Sequence, residues 1–278
     1  MMDVSHPEIV DAVHRALVED IGPGDVTTIL CVPDEARATG RMLAQQNLTL
    51  AGVELLPLIF SDCEVRLKHG SGDRLVAGDE VAVATGPARS LLTGERTALN
   101  FVQRLSGIAT LASAYVQAVE GTGCRILDTR KTTPGLRRLE KMAAAAGGAA
   151  NHRMGLYDAV LIKNNHIAAA GGVREALERV RQGGLPPEID VEIEVRTRVE
   201  LEEALQAGAK HVLLDNLEPA EAREWIVHIH GRSTVELSGG IRLDTVRAFA
   251  ETGADFVSCG ALTHSAPAAD LNFRLELV

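Results

Sequence analysis

The 278 residues suffice for one large domain or two unequal ones, and 46% hydrophobic against 24% charged residues is the balance of a folded globular chain, not a disordered or fibrous one. Aromatics at 3% and a net charge of −10 argue against a base-stacking surface and against wholesale binding to nucleic acid or anionic membranes. Cys31, Cys63, Cys124 and Cys259 are far apart with no C-x-x-C pair, so they read as small buried residues in a reducing compartment. The N-terminus carries Asp3, Glu8 and Asp11 and no apolar signal core, and the most apolar window, 48–60, is broken by Glu54 and Pro57. A cytoplasmic protein is expected.

In chain order, Ser5 followed by Pro7 predicts a helix start, with Ile9, Val10, Val13 and Leu17 as its apolar stripe and EDIGPGDVTT (19–28) as the loop that ends it. From about Arg37 to Leu92, short strands with tight turns are expected, the turns being GSGD at 70–73 and AGDE at 77–80. Thr93 to Thr122 predicts one or two helices with Leu99, Val102, Leu105 and Ile108 on one face. After Gly123 apolar strands alternate with amphipathic helices. The strands are 125–128, 160–162, 191–195, 211–214, 235–238 and 256–259; the helices include 134–146, 175–181, 199–207, 220–228 and 243–252. This βα repetition predicts a parallel sheet with helical crossovers, and six clear strands point to an incomplete barrel.

Each strand of that second part ends in a polar or glycine-rich cluster: DTRKT, KNNH, RT, DN, SGG and CGA. In a βα barrel the chemistry sits at those ends. Between Arg130 and Lys163 there are seven Lys/Arg and only two acids, a cationic segment in an acidic chain that suits a small polyanion. Arg130, Lys131 and Lys163, just after strands, are candidates for that role; Arg137, Arg138 and Lys141, on the expected helix 134–146, read equally as a solvated face. His152 and Arg153 add a second cationic cluster, while His166 could cap its strand end structurally. The spacing of the histidines supports no protein-built metal site.

Glu192 and Glu194 alternate along one strand and face the same side, plausible as the barrel interior, and Glu194 is the stronger candidate because it is nearer the strand's C-terminal end. Asp215 ends the strand HVLL. These carboxylates either neutralise nearby Arg and Lys or hold ribose hydroxyls and a substrate-borne magnesium. Ser238, Gly239, Gly240, Gly260 and Ala261 offer a backbone that can approach phosphate, although glycine alone also merely turns chains.

Together, the stretches EDIGPGDVTT, GERTALNFVQRLSGIAT, LDTRKTTPGLRRLEK, GGAANHRMGLYDAVLIKNNHI, VEIEV, VLLDN, ELSGGI and GALTHS, spanning 19–265, resemble the quinolinate phosphoribosyltransferase family. The resemblance implies an α/β fold. An N-terminal α/β sandwich (1–108), to which the tail 269–278 returns, would precede an open, seven-stranded α/β barrel (109–268). It implies transfer of phosphoribosyl from 5-phosphoribosyl 1-pyrophosphate to quinolinate with decarboxylation, magnesium carried in with that substrate, and a homodimer with shared sites. Arg96, Arg130, Arg153 and Lys163 would surround the quinolinate carboxylates, with Lys131 and His152 near the reacting groups and Thr129 also contacting substrate. Glu194 and Asp215 would bind ribose and magnesium, and Ser238, Gly239, Gly240, Gly260 and Ala261 the 5′-phosphate. Asn164 and Ala149 depart from the family pattern, which often has an aspartate and a glycine there. A monocarboxylate-using relative would need fewer cations, a non-catalytic homologue would not need Lys131, Lys163, Glu194 and Asp215 together, and a phosphate-binding isomerase would leave DTRKT and NHR unexplained.

Overall fold

The structure, a computed structural model, describes residues 3–278. It divides into two compact units that interleave along the chain. The first holds the chain up to Ser113 together with Thr132–Gly148 and Leu262–Val278; the second holds Ala114–Lys131 and Ala149–Ala261. The boundary expected between 108 and 109 falls inside one helix, Ala88–Ala118.

In the first unit the opening helix, Pro7–Ile21, has proline at its first position and buries Ile9, Ala12 and Val13. Its cap is His6, whose Nδ1 accepts the Glu8 N–H at 3.2 Å, and not Ser5 as the sequence pattern suggested. Strands β1 (Arg37–Ala44), β2 (Leu48–Thr49), β3 (Glu64–Leu67), β4 (Arg74–Leu75) and β5 (Glu80–Pro87) follow. β5 lies between β1 and β3, antiparallel to both, while β2 and β4 pair separately. Along β1 Ala38, Gly40, Met42 and Ala44 are buried and the residues between them are not, the period of two that fixes register. The helix expected to open at Thr93 begins at Ala88 and runs 31 residues without a break, burying Leu91, Leu99, Val102, Leu105 and Ile108.

The second unit is a sheet of parallel strands: β6 (Arg125–Leu127), β7 (Val160–Ile162), β8 (Val191–Val195), β9 (His211–Asp215), β10 (Thr234–Ser238) and β11 (Phe256–Ser258). The spatial order is β6-β11-β10-β9-β8-β7, with the first strand beside the last, the wrap-around a βα barrel requires. The expected seventh strand is reduced to one residue, Ala150, which bridges in parallel to Leu127 on the free edge of β6. The barrel is open between that residue and β7. Helices Val173–Gln182, Arg198–Gln206, Pro219–Ile229 and Val246–Ala250 connect the later strands; the last is shorter than its apolar pattern suggested.

Alternate residues of these strands turn to opposite faces. Ile193, Val195, Val212, Leu214, Val235, Leu237 and Val257 are almost wholly buried, and helix residues such as Leu201, Ala204, Ala222 and Trp225 share that burial. Each such aliphatic side chain contributes about 1.5–3 kcal/mol on burial. The intervening residues, among them Glu192, Glu194, Asp215, Glu236 and Ser238, turn to the other face, so the barrel has a polar lining. The last strand, β12 (Leu271–Leu277), belongs to the first unit, where it pairs antiparallel with β1 from Ala38↔Leu277 to Ala44↔Leu271. The return of the tail is therefore a strand addition. Its Phe273 ring occupies the space a side chain at Gly40 would need: a Cβ there would lie 2.1 Å from Cζ.

Candidate active site

At the C-terminal end of β6 the fully buried Asp128 organises the segment that follows Ala150. Its Oδ1 accepts the His152 N–H at 2.9 Å and its Oδ2 the Asn151 side-chain amide at 2.5 Å. Sequence reading passed over Asp128, although the conspicuous DTRKT cluster contains it. Thr129 and Arg130 follow, half-buried, and Lys131 is exposed, its N–H donating to Thr129 Oγ1 at 3.1 Å. Arg130 Nε is buried and has no hydrogen-bond partner.

Arg153 donates from Nη1 to the Ala159 carbonyl at 3.0 Å, fixing its direction. Burial, then the charge of Arg130, hold its guanidinium below the ordinary arginine range, with Asp158 and Glu192 opposing. Arg130 and Arg153 are thus close enough to repel, and an anion placed by them relieves both the repulsion and the unmet Nε–H of Arg130. His152 has its Nδ1 facing the Arg153 N–H at 2.7 Å and its Nε2 3.4 Å from Glu192 Oε2 and 3.5 Å from Glu236 Oε2. These three side chains help line a cavity of about 330 Å³ with Arg125, His211 and Thr234, at the N-terminal ends of the strands.

Nearer the C-terminal ends lies a second cluster. Arg196 Nη2 is 2.9 Å from Glu194 Oε1 and 3.0 Å from Asp215 Oδ2, and Lys163 Nζ is 3.5 Å from Glu194 Oε2. One guanidinium therefore gathers both carboxylates. Of the two glutamates on β8, Glu194 joins Asp215 while Glu192 joins His152 and Glu236, which separates two residues that the sequence placed on one face. Arg196 and Glu236 were both missed. Arg196 directly follows VEIEV at a strand end, and Glu236 stands two residues before Ser238 on the same face, so each carried a signal.

The loop after β9 is knitted to the loop after β10. Asn216 N–H donates to the Ser238 carbonyl at 2.9 Å, and its side-chain amide to Asp215 Oδ2 at 2.7 Å. Gly239, at φ +103°, leaves no room for a side chain: a Cβ would lie 2.2 Å from Asn216 Oδ1 and 2.8 Å from its backbone nitrogen. Gly240, also left-handed at φ +61°, meets open space. Gly260 and Ala261 follow β11 beside these loops in the sheet order.

The remaining cationic candidates separate. Arg138 pairs with Glu8 at 2.9 Å and Arg137 Nε donates to Thr132 Oγ1 at 3.0 Å in the first unit, while Lys141 is fully buried and not on a solvated face. His166 Nδ1 accepts the Lys163 N–H at 2.9 Å as part of a helix cap, a structural role. Arg96 is exposed on helix Ala88–Ala118 in the first unit. Ala149 is buried and Asn164 is the exposed first residue of helix Asn164–Ala170. The four cysteines are free thiols, Cys124 and Cys259 buried as expected but Cys63 half-buried and Cys31 exposed, and among the described residues no helix is long and apolar enough to cross a membrane.

Family models for the N-terminal and C-terminal domains of quinolinate phosphoribosyl transferase match residues 25–106 and 108–274. A probable nicotinate-nucleotide pyrophosphorylase (carboxylating) of Bacillus subtilis is 38% identical over 278 residues, 99% of this chain and 96% of the relative. The nicotinate-nucleotide pyrophosphorylase (carboxylating) of Mycobacterium leprae is 40% identical over 275 residues, 95% and 96% of the two chains. Among solved structures, NadC from Streptococcus pyogenes superposes with a TM-score of 0.93 at 38% identity, covering 100% of both chains.

Proposed function

The chain belongs to the quinolinate phosphoribosyltransferase family, and we propose that its catalysis is divided between the two clusters described above. The enzyme transfers phosphoribosyl from 5-phosphoribosyl 1-pyrophosphate to quinolinate with decarboxylation, yielding nicotinate mononucleotide, pyrophosphate and carbon dioxide in NAD biosynthesis. The observation that carries the assignment of roles is the repelling pair Arg130 and Arg153 with the buried, partnerless Nε–H of Arg130. Quinolinate brings two carboxylates on adjacent ring carbons, and paired guanidinium forks suit them. Thr129 borders this site, and Lys131 and Lys163 add compact charges from strand ends.

Glu194 and Asp215 hold the ribose hydroxyls. Two carboxylates within reach of one guanidinium form a hard oxygen donor set that suits magnesium arriving with the pyrophosphate substrate, where it would neutralise leaving-group charge. Ser238, Gly239, Gly240, Gly260 and Ala261 receive the 5′-phosphate through backbone N–H groups and the serine hydroxyl. Pyrophosphate leaves the anomeric carbon, the pyridine nitrogen bonds to that carbon, and the new ring cation draws the electron pair released as the 2-carboxylate departs. Lys131 and Lys163 are placed to stabilise charge as it develops, and no protein nucleophile is needed.

The protein works in the cytoplasm as a homodimer in which Arg96 of one protomer completes its partner's quinolinate site. Its exposure, and the apolar Val26 and Leu30 exposed at 71% and 80% in the same unit, support that reading. Purified protein with quinolinate, 5-phosphoribosyl 1-pyrophosphate and magnesium should release one carbon dioxide per pyrophosphate. Nicotinate should be used poorly because it leaves cations unpaired. Equal turnover of the two acids would refute the dicarboxylate role given to Arg130 and Arg153.

A further inference from the structure

Losing carbon dioxide leaves the electron pair of the broken bond on the ring carbon beside nitrogen, and that carbon must gain one proton. Lys131 and Lys163 are needed there as charges. Beneath them in the barrel stands another acid. The Nδ1 of His152 accepts the Arg153 N–H at 2.7 Å, so the neutral ring carries its proton on Nε2. Nε2 faces two carboxylates, Glu192 Oε2 at 3.4 Å and Glu236 Oε2 at 3.5 Å. Glu236 is 4% exposed, and its other oxygen, Oε1, is buried without a hydrogen-bond partner. Two carboxylates in so small a space do not both ionise at little cost, and one shared proton removes the repulsion.

We propose that Glu236 stores the proton that replaces the departing carboxylate and delivers it through His152, an inference that rests on His152 and Arg153 belonging to the quinolinate site. The C–C bond breaks, carbon dioxide leaves, and the ring carbon takes the Nε2 proton. Nε2 then takes the proton of Glu236, whose carboxylate is reprotonated from solvent before the next turnover. Glu236 acts through His152 and is a positioning residue in that sense. Burial foremost, then the charge of Glu192, pushes its carboxyl up to about 7, against the pull of His152, Ser258 and Lys163. Arg125, Arg153, Asp190 and His211 share the cavity, and Cys259, pushed up to about 12 by burial, stays neutral.

The test separates the two chemical steps in a single turnover, with pyrophosphate and carbon dioxide measured in the same quenched samples. Glu236→Gln keeps an acceptor for Nε2–H but has no proton to give. It should release pyrophosphate within about twofold of the wild type and carbon dioxide roughly 10²-fold more slowly, the usual scale for losing a general acid. In the wild type the carbon dioxide step alone should slow as pH rises through 7, a readout that survives even if the variant does not fold. Equal slowing of both steps in the variant, an unaltered carbon dioxide step, or a wild-type step indifferent to pH would each overturn the proposal. Quinolinate binding by Arg153→Ala isolates the underlying site assignment. Undiminished affinity there would overturn that assignment, whereas lost affinity beside a normal Glu236→Gln would overturn the proton store alone.

Discussion

Replacing Glu140 by Gln should cost far more stability than its near-identical shape suggests. Glu140 is fully buried in the first unit. Its Oε1 accepts from Arg104 Nε at 3.1 Å, from Arg104 Nη2 at 2.9 Å and from the Thr133 hydroxyl at 2.7 Å, and its Oε2 accepts the Thr133 N–H at 3.0 Å. An amide keeps one acceptor and turns the other end into a donor, so an N–H₂ must face either the arginine or the Thr133 N–H. Arg104, which also donates to the Ala266 and Thr263 carbonyls, then loses its carboxylate partner. Removing one member of a buried pair costs about 3–5 kcal/mol, a large share of the roughly 5–15 kcal/mol that holds a protein folded. At 2–4 °C per kcal/mol, the melting temperature should fall by roughly 6–20 °C. Thermal melts give the total, and hydrogen exchange should speed up at 132–148 before it does along β8. The double variant Arg104→Met, Glu140→Leu removes both charges and should recover much of the loss. A fall below about 1 kcal/mol for Glu140→Gln would show that the network carries no weight.

Lys131→Ala or Lys163→Ala should each lower kcat/KM on the order of 10²–10³, while Arg137→Ala and Arg138→Ala, which lose partners within the first unit, should change it less than about tenfold; equal small effects at all four would overturn the assignment. Gly239→Ala combines a left-handed φ with a collision against the Asn216 backbone, so KM for 5-phosphoribosyl 1-pyrophosphate should rise about tenfold or more with quinolinate affinity unchanged. Mixing Arg96→Ala with Lys131→Ala and allowing subunit exchange should restore about a quarter of full activity if the site is shared, since half the dimers are mixed and each has one intact site; no recovery despite proven exchange would exclude sharing. Between pH 4.5 and about 7 the folded chain keeps a proton on Glu236 that the unfolded chain has lost, so this group's stabilising contribution declines as pH rises through that window. Its slope, up to about 1.4 kcal/mol per pH unit, should vanish in Glu236→Gln.

The second unit was the most legible in sequence because its strands are short apolar runs that end in glycine or charge, and five of the six begin at the residue where the pattern put them. Two of those five match outright, three differ by one residue at the C-terminal end, and the sixth, β10, starts one residue early at Thr234. The long helix was misjudged at its start: Ala88–Leu92 reads ARSLL directly after Gly86-Pro87, yet the expected opening lay at Thr93. Lys141 was unreadable: a lysine on an amphipathic pattern looks solvated, and only packing in three dimensions buries it. The separation of Glu192 from Glu194 was equally hidden. Period two puts both on one face, but depth along that face, set by how strands stagger around a barrel, decides which partners each one meets.

The seat of Phe273 against Gly40 has a consequence for how the chain is made. β1 is synthesised before any strand of the barrel, yet the strand that covers its outer edge, β12, follows the last of them. On the ribosome that edge stays bare while all of the barrel is translated, and an uncovered strand edge is a template for joining another nascent chain. The sheet begun before the barrel is thus completed after it. Deleting β12 should leave a barrel able to fold beside a sandwich that aggregates.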